Sequence, residues 1–426
     1  MALAIDFFSG VGGLSLGLEQ AGFEVGLSVE IEEITGKYAQ YNSPLTKVLY
    51  GSTDGDIKNF TSDNVHLKKA INTHGEVTLI AGGPPCQGFS LAGKKNDEDP
   101  LNDLILEFAR VIVDVMPRVF LIENVPGIKI GGSEKLRQTI DILQNYYHIT
   151  EPTTLNAWDF GVPQTRKRVF ILGYRKDLQI KPSLPSPTHC PSNNKNKDFF
   201  LRRTPSCWDA ISDVPDCDQY PQLLSEDRVP FAIEPQNDYQ FIMRGLKKEN
   251  DDFSYQVDWN KEICTNIRRT QHGIDLLERF SLLAPGKSDK KSAIRRLVAD
   301  DLSTTIRAGT TKDRGSWSAP RPLHPFLNRV ITTRECARIQ SFPDSWTFHP
   351  TKWNGNRMVG NAVPPLLAKA IGKHIISELN LTTTNKSKVI VSRVANNIAG
   401  DLIRAKASRY EDRKVSQHVA SWSVKK

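Results

Sequence analysis

The feature that most constrains the fold is a regular alternation of short apolar runs and longer helix-like stretches over residues 1–175. Helix-like stretches cover 13–21, ended by Gly22, and 104–115, ended before Pro117. Strand-like runs lie at Ala4–Phe8, Val25–Val29, Val77–Ala81, Val119–Ile122 and Val169–Leu172. This alternation predicts an α/β fold built on a doubly wound sheet.

The regular alternation stops after residue 175, where the proline-rich stretch KPSLPSPTHCPSNNK begins. A chain of 426 residues suits two domains, or one domain with a large insert. We therefore predict a first domain over 1–175, a smaller irregular domain over 176–330 and a return to the first domain over 331–380. The remaining segment, 381–426, is a polar and basic tail.

Composition excludes several classes of protein. The chain is 39% hydrophobic and 24% charged, as is ordinary for soluble globular proteins, and it contains no apolar run long enough to span a bilayer. The start, MALAIDFF, lacks the regions of a signal peptide, so we expect a cytoplasmic protein with no membrane partner. The net charge of +8 is weak evidence for a polyanionic partner, because the tail holds ten Lys/Arg against three Asp/Glu.

The six cysteines do not suggest a metal centre. His189, Cys190, Cys207 and Cys217 are the best candidates for ligands, but their spacing matches no standard zinc module. We expect no bound metal.

The first strand-like run continues into a glycine-rich turn, DFFSGVGG at 6–13, and Glu30 ends the next strand. Such a turn lets a ligand approach the backbone, and the carboxylate can bind a ribose, so both NAD and S-adenosylmethionine are possible. The dinucleotide fingerprint is incomplete, because Ser15 stands where its third glycine would fall. A second acidic residue, Asp56, suits an adenine amino group, and together these points favour S-adenosylmethionine.

A candidate nucleophile, Cys86, follows the 77–81 strand in GGPPCQGFS. Two prolines restrict the backbone before the thiol and a Gln-Gly pair frees it afterwards, although a buried inert cysteine is also possible. Glu123 ends the next strand as a candidate acid, or a solvated loop carboxylate. In QTRKR, Arg166 and Arg168 would share one face if this segment is a strand, or form a solvated basic face.

These motifs, in this order, resemble the C5-cytosine DNA methyltransferase family of bacterial restriction–modification systems. DFFSGVGG is similar to its cofactor loop, GGPPCQGFS to its nucleophile loop, ENV to its glutamate motif and QTRKR to its arginine motif. RECARIQSFPDSW at 334–346 and GNAVPP at 360–365 are similar to its last two motifs. The resemblance covers about 1–175 and 330–378, and the stretch between fits the family's variable target-recognition region.

The resemblance implies a Rossmann-like, S-adenosylmethionine-dependent methyltransferase. Cys86 would attack C6 of a cytosine flipped out of duplex DNA, and Glu123 would hold the N3/N4 edge. Arg168, with Arg166, would bind the base at O2 and nearby phosphate. Methyl transfer to C5 and departure of the thiol would complete the reaction.

The resemblance also implies binding residues for the cofactor and for DNA. Those for the cofactor would be Phe8, Gly10, Gly12, Glu30, Asp56, Ile57, Pro85, Leu104 and Asn361. Those for DNA would be Gln87 and Ser90 of the nucleophile loop and Arg307, Arg314 and Arg321 of a candidate reading loop at 306–322.

Duplex DNA is therefore the expected partner, with a cognate restriction endonuclease linked in function but not stably bound. An RNA cytosine methyltransferase is the nearest alternative, but the long region between QTRKR and RECAR favours DNA. An NAD-linked oxidoreductase leaves the other motifs unexplained, and a catalytically silent DNA-binding protein would not need them. No symmetric interface is visible, so we expect a monomer. The tail beyond 380 has no implied role and either contacts phosphate or is disordered.

Overall fold

An eight-stranded sheet is the centre of the computed structural model, which describes residues 2–85, 100–131, 133–191, 200–309 and 320–393. Its strands are β1 (Leu3–Phe7), β2 (Glu24–Glu30), β3 (Lys47–Tyr50), β4 (Val77–Gly82), β5 (Val119–Asn124), β6 (Tyr147–Ile149), β7 (Thr153–Asn156) and β9 (Lys167–Arg175). A short strand, β8 (Gln164–Thr165), precedes β9.

The strand order is β3-β2-β1-β4-β5-β9-β6, with β7 also paired to β9. Strands β1 to β5 are parallel, whereas β9 runs antiparallel to β5. Phe7 is in register with Val29 and with Gly82. The loops that follow β1, β2, β4 and β5 therefore leave from one edge of the sheet, where open α/β folds place their ligands.

Helices cover both faces of the sheet, which confirms the doubly wound prediction. They are α1 (Gly13–Ala21), α2 (Glu33–Asn42), α3 (Gly51–Asp54), α4 (Val65–His74), α5 (Leu104–Val115), α6 (Ile128–Gly131) and α7 (Ser133–Leu143). Helices α4, α5 and α7 contribute to the apolar core on one face, and α1 contributes to the core on the other. Helix α1 ends at Gly22, whose φ of 105° is the left-handed conformation that glycine tolerates.

The second face is completed by α13 (Pro365–Glu378), which returns from the far end of the chain to pack on α1. Gly17 makes this contact possible, because a Cβ there would lie 2.3 Å from the carbonyl oxygen of Pro365. The motif GNAVPP is thereby brought to the amino-terminal end of α1.

Between β9 and α13 the structure is irregular, with short elements. The strands are β10 (His189–Cys190), β11 (Arg202–Arg203), β12 (Arg228–Pro230), β13 (Gln256–Val257), β14 (Ile263–Thr265) and β15 (Ser303–Thr304). The helices are α8 (Cys207–Ile211), α9 (Asp238–Met243), α10 (Ile274–Ser281), α11 (Thr333–Ile339) and α12 (Lys352–Asn361). Helices α8, α9, α11 and α12 share one apolar core, so α11 belongs by packing to the irregular region. The predicted boundaries at 176 and 331 stay predictions.

A buried ionic network joins α11 to this region. Arg338 donates to Asp213 at 3.0 Å and to Asp344 at 2.6 Å, and all three residues are at most 3% exposed. Arg329 donates to both oxygens of Glu335, at 2.9 and 3.0 Å. Removal of one partner from such a pair leaves an uncompensated buried charge, so the network fixes the position of α11.

A final strand, β16 (Ile390–Val391), pairs with β13. Over the described residues, no helix combines the length and the apolar character that a membrane span requires.

Candidate active site

The glycine-rich loop after β1 passes through left-handed backbone conformations, which its glycines tolerate and which Phe8 adopts under strain. Phe8, Gly10 and Gly12 have φ values of 55°, 56° and 93°, all in the left-handed region. A Cβ on Gly10 would meet nothing within 4 Å, so the backbone there faces open space. The ring of Phe8 contacts Phe108 edge to face at 5.8 Å, which fixes one wall of that space.

Glu30 closes the second side of the same space. Its carboxylate accepts the backbone N–H of Gly10 at 2.8 Å and that of Glu32 at 2.7 Å. Burial raises the pKa of Glu30 to about 6, although the two hydrogen bonds favour the ionised form. Gly55 lies against the backbone of Glu30, where a Cβ would be 2.2 Å from the carbonyl oxygen, and so brings Asp56 to this side.

The other predicted cofactor residues each have their own local surroundings. Asp56 accepts the N–H of Lys58 at 3.0 Å, and Ile57 is only 3% exposed. Leu104 packs against the same apolar core as Phe8. Asn361 is exposed at the end of α12.

Asp6 is a residue that the sequence reasoning missed. Its carboxylate accepts the Ser15 backbone N–H at 3.1 Å and the Ser15 hydroxyl at 2.6 Å, which ties β1 to the first turn of α1. The residue that replaces the third fingerprint glycine is therefore a hydrogen-bond donor to Asp6. Burial raises the pKa of Asp6 to about 7, and its second oxygen is buried with no described hydrogen-bond partner.

The end of β5 and the start of β9, which pair antiparallel, bring Glu123 and Arg168 together. The Arg168 Nε lies 2.8 Å from a Glu123 oxygen, and both side chains are less than 15% exposed. Burial lowers the pKa of Arg168, and the adjacent carboxylate opposes that effect. The other Glu123 oxygen lies where a Cβ on Gly83 would come within 2.7 Å, so a larger residue there would displace that oxygen.

Asn124, also missed, holds the start of the nucleophile loop. Its side-chain amide donates to the carbonyl of Pro84 at 3.1 Å. This bond places Pro84 beside the Glu123–Arg168 pair, and Pro85 is the last residue described before Cys86. The position of Asn124, directly after Glu123 in ENV, is the sequence signal that could have identified it. Cys86, Gln87, Ser90 and Arg314 lie outside the described residues.

Arg166 does not have the surroundings expected of a base-binding group. It lies between β8 and β9, is fully buried, and donates to the backbone carbonyls of Ile306, Gly360 and Ala362 at 2.9–3.1 Å. The expectation that it faces the base is therefore corrected: its guanidinium ties the 360–362 turn to the sheet edge.

The two described arginines of the candidate reading loop have different surroundings. Arg307 is exposed, and its backbone lies against Gly360, where a Cβ would come within 2.5 Å. Arg321 is only 8% exposed and donates to the carbonyl of Ile331 and the hydroxyl of Thr270, both at 2.9 Å. It is thus an internal structural residue, which corrects its assignment as a DNA contact.

Trp346, from FPDSW, lies under the glycine-rich loop. Its indole Nε1 donates to the carbonyl of Val11 at 3.1 Å, and a Cβ on Gly12 would be 3.2 Å from its ring. A tryptophan can be identified in the sequence, but its contact with residues 335 positions earlier cannot.

Among the described residues, no group of three or more His, Cys, Asp or Glu side chains could hold a metal ion. Cys207 is buried and donates to the carbonyl of Val298 at 3.0 Å.

Comparison with known proteins agrees with this arrangement. Residues 3–377 match the model of the C-5 cytosine-specific DNA methylase family. The chain is 37% identical to the Type II methyltransferase M.XorII of Xanthomonas oryzae pv. oryzae, over 91% of this chain and 88% of that protein. It is 32% identical to the Type II methyltransferase M.DdeI of Desulfomicrobium norvegicum, over 92% of each.

Solved structures show the same fold. A crystal structure described as that of a DNA modification methyltransferase encoded within an E. coli prophage matches with a TM-score of 0.70 and 29% identity, over 89% of this chain and all of that one. The S. pombe Dnmt2 methyltransferase matches with a TM-score of 0.50 and 16% identity, over 89% of this chain and all of that one, which indicates a shared fold alone.

Proposed function

The chain belongs to the C-5 cytosine-specific DNA methylase family and is a DNA (cytosine-5)-methyltransferase, and we propose that it transfers a methyl group from S-adenosylmethionine to C5 of a flipped-out cytosine through a covalent Cys86–C6 adduct. We further propose that the modified base lies in a specific duplex sequence and is thereby protected from a cognate restriction endonuclease.

The observation that carries the proposal is the Glu123–Arg168 pair at the start of the nucleophile loop. The 2.8 Å contact orients the carboxylate, and the Asn124–Pro84 bond holds the described start of the nucleophile loop beside it. A carboxylate and a guanidinium thus meet at the carboxyl edge of the sheet, where a base can enter, and we propose that the Cys86 thiol approaches them there.

Cys86, Glu123 and Arg168 each have a separate role in the proposed reaction. The Cys86 thiolate adds to C6, while Glu123 hydrogen-bonds N4 and delivers a proton to N3, which makes C5 nucleophilic. Arg168 holds the Glu123 carboxylate and donates to O2 of the base. After methylation, loss of the C5 proton and departure of the Cys86 thiolate restore the aromatic ring, and the N3 proton returns to Glu123.

The space beside the glycine-rich loop fits the proposed cofactor. Gly12, the N-cap residue of α1, offers no side-chain cap and Asp6 takes the N–H of Ser15, so the N–H groups at the very start of the helix suit the carboxylate of a methionine moiety. The backbone at Gly10 faces open space, and Glu30 beside it suits ribose hydroxyls. Phe8, Gly12, Asp56, Ile57, Pro85, Leu104 and Asn361 would complete this pocket. When bound, S-adenosylmethionine would supply the electrophilic methyl group.

For DNA we propose a smaller set of contacts than the sequence alone suggests. Arg307 is retained, because it is exposed beside the GNAVPP turn. Gln87, Ser90 and Arg314 are retained from the sequence alone, and Arg321 is withdrawn. The protein would act as a monomer on duplex DNA.

A product assay tests the proposal. The protein is incubated with S-adenosylmethionine and mixed-sequence duplex DNA, the DNA is digested to nucleosides, and 5-methylcytosine is measured by mass. We expect product with the wild-type chain and none with Cys86→Ala, and bisulfite sequencing then identifies the recognition site. Failure of the wild-type chain to methylate DNA while S-adenosylmethionine still binds would overturn the choice of substrate, and transfer RNA would be tested next.

A further inference from the structure

The basic tail that no motif explains begins with an ordered segment, residues 381–393, which we call the C-terminal strap. After α13 it crosses the turn between α1 and β2, where the N–H of Thr384 donates to the carbonyl of Gly22 at 2.9 Å. It continues to the irregular region, where Lys386 N–H donates to the carbonyl of Phe253 at 2.8 Å. Finally β16 pairs in parallel with β13. The strap therefore contacts both halves of the molecule.

A buried ion pair fastens the middle of the strap. The Nζ of Lys386 lies 2.6 Å from a Glu24 oxygen, and Glu24 is only 7% exposed. The same ammonium group lies 5.9 Å from the ring centroid of Tyr255. These contacts fix the direction in which the chain continues toward Arg393.

Arg393 ends the strap against the loop that carries Trp346. Its guanidinium donates to the carbonyls of Ser345 and, at 3.4 Å, of Asn42. The guanidinium carbon lies 5.3 Å from the ring centroid of Tyr41 and 5.9 Å from that of Trp346, within the range of cation–π attraction.

The 345–347 segment is thus held from two sides. Asn42 donates to the carbonyl of Thr347 at 2.8 Å and accepts its N–H at 2.9 Å. On the other side, Trp346 donates to the carbonyl of Val11 and lies under Gly12. A continuous series of contacts therefore runs from Arg393 through Trp346 to the glycine-rich loop.

We propose that Arg393 is a positioning residue for cofactor binding: it holds the Trp346 loop, which in turn holds the backbone of Val11 and Gly12 in the conformation that receives S-adenosylmethionine. This inference rests on the proposed function. It assigns to the start of the basic tail a role at the cofactor site, separate from any contact with DNA phosphate.

The geometry favours this role over simple surface attachment. A guanidinium presents its donors in a fixed plane and can bind two carbonyls while it lies over aromatic rings, which an ammonium group cannot do equally well. Burial lowers the pKa of Arg393 to about 10. Such a residue is costly to bury, and its contacts fall on the Trp346 loop and on the end of α2, which itself binds Thr347 through Asn42.

The test compares full-length Arg393→Met with Lys388→Met, an exposed lysine of the same strap, as the matched control. The Kd for S-adenosylmethionine is measured by calorimetry without DNA, and the Kd for duplex DNA by fluorescence anisotropy. We expect Arg393→Met to raise the cofactor Kd about tenfold, corresponding to about 1.4 kcal/mol, with DNA affinity changed less than twofold. Lys388→Met should match the wild type, and Arg393→Lys should be intermediate.

Two further readouts separate positioning from general loosening of the fold. In steady state, Arg393→Met should raise KM for S-adenosylmethionine with little change in kcat. Trp346→Phe, which removes the donor to Val11, should weaken cofactor binding by itself. The variant that carries both Arg393→Met and Trp346→Phe should bind the cofactor no more weakly than the weaker-binding of the two single variants.

An unchanged cofactor Kd in Arg393→Met, or additive effects in the double variant, would overturn the assignment. Equal losses of cofactor and DNA affinity would also overturn it, because they indicate disturbed folding. If the wild-type chain itself fails to bind S-adenosylmethionine, the proposed function fails, and that outcome is distinct from failure of the strap alone.

Discussion

Two sets of buried carboxylates differ in how their charge is balanced. Around α11, Glu335 is bound by both arms of Arg329, so its pKa falls to about 2 even though burial alone would raise it. At the sheet edge, Glu30 and Asp6 are held mainly by N–H and hydroxyl donors, and burial raises their pKa values to about 6 and 7. Of these three, the carboxylate that is bound by both arms of an arginine stabilises architecture, whereas the two without a cationic partner are suited to a ligand.

Glu123 stands between these two cases. It has one cationic partner, Arg168, at the edge where a base would enter. The comparison therefore predicts that changes at the sheet edge alter catalysis or binding, while changes around α11 alter stability.

The largest expected effect is on turnover. Glu123→Gln removes the proton that we propose is delivered to N3, so kcat should fall by about 10²–10⁴-fold. The melting temperature should fall only modestly, because the amide oxygen can still accept from Arg168. Glu134→Gln, in an exposed pair with Arg137, is the control and should keep full activity. Activity of Glu123→Gln within tenfold of the wild type would argue against its role in proton transfer.

The next effect is on stability. Arg338→Met leaves Asp213 and Asp344 buried without their main cation, which should lower the free energy of unfolding by about 3–5 kcal/mol. Urea denaturation measures it, and Arg137→Met on the surface should leave the urea midpoint unchanged. If both variants unfold at the wild-type midpoint, the network around α11 has no architectural role.

A third effect is the pH dependence of cofactor binding. Ribose hydroxyls donate to an ionised carboxylate, so the Kd for S-adenosylmethionine should rise by up to about tenfold per pH unit below the Glu30 pKa of about 6. In the absence of ligand, the effect of pH on folding has the opposite sign. Because burial raises the pKa of Glu30 from 4.5 to about 6, its contribution to the free energy of unfolding is complete below pH 4.5 and is lost as the pH rises through 6. Calorimetry from pH 5 to 8 tests this, and a wild-type Kd that is flat over this range would contradict it. Glu30→Gln should bind weakly and without this dependence.

The smallest effect concerns the first turn of α11. Thr332 and Glu335 form a capping box, in which the Thr332 hydroxyl accepts the Glu335 N–H at 3.2 Å and the carboxylate accepts the Thr332 N–H at 2.6 Å. Thr332→Ala should cost about 1 kcal/mol of stability with turnover unchanged. The control Thr61→Ala, at an exposed position, should lower the free energy of unfolding by less. A loss of turnover in Thr332→Ala would contradict the separation between the catalytic sheet edge and the structural region around α11.

The fold was predictable because its signals are local. Buried parallel strands are short apolar runs, and the helices between them end at residues such as Gly22 or before Pro117, so periodicity and end signals locate both. The irregular region has few such signals, and its short strands owe their existence to pairing with distant segments.

The candidate site was only partly predictable. The order of six motifs indicated the family, and Glu123 and Arg168 lie in contact at the sheet edge. Asn124 and Trp346 were missed because their importance depends on a loop carbonyl and on the glycine-rich loop, respectively. The place of Asn124 after Glu123 in ENV was a weak signal, whereas the Trp346 contact leaves no pattern in neighbouring residues.

The sequence by itself determined the α/β fold and the family, because strand and helix signals and motif order are properties of neighbouring residues. Only the tertiary structure decided the use of each arginine. Arg168 faces Glu123, whereas Arg166, two positions earlier, binds a carbonyl 194 residues away. The side chains are chemically identical, so the difference depends on which distant backbone groups the fold brings within hydrogen-bond distance.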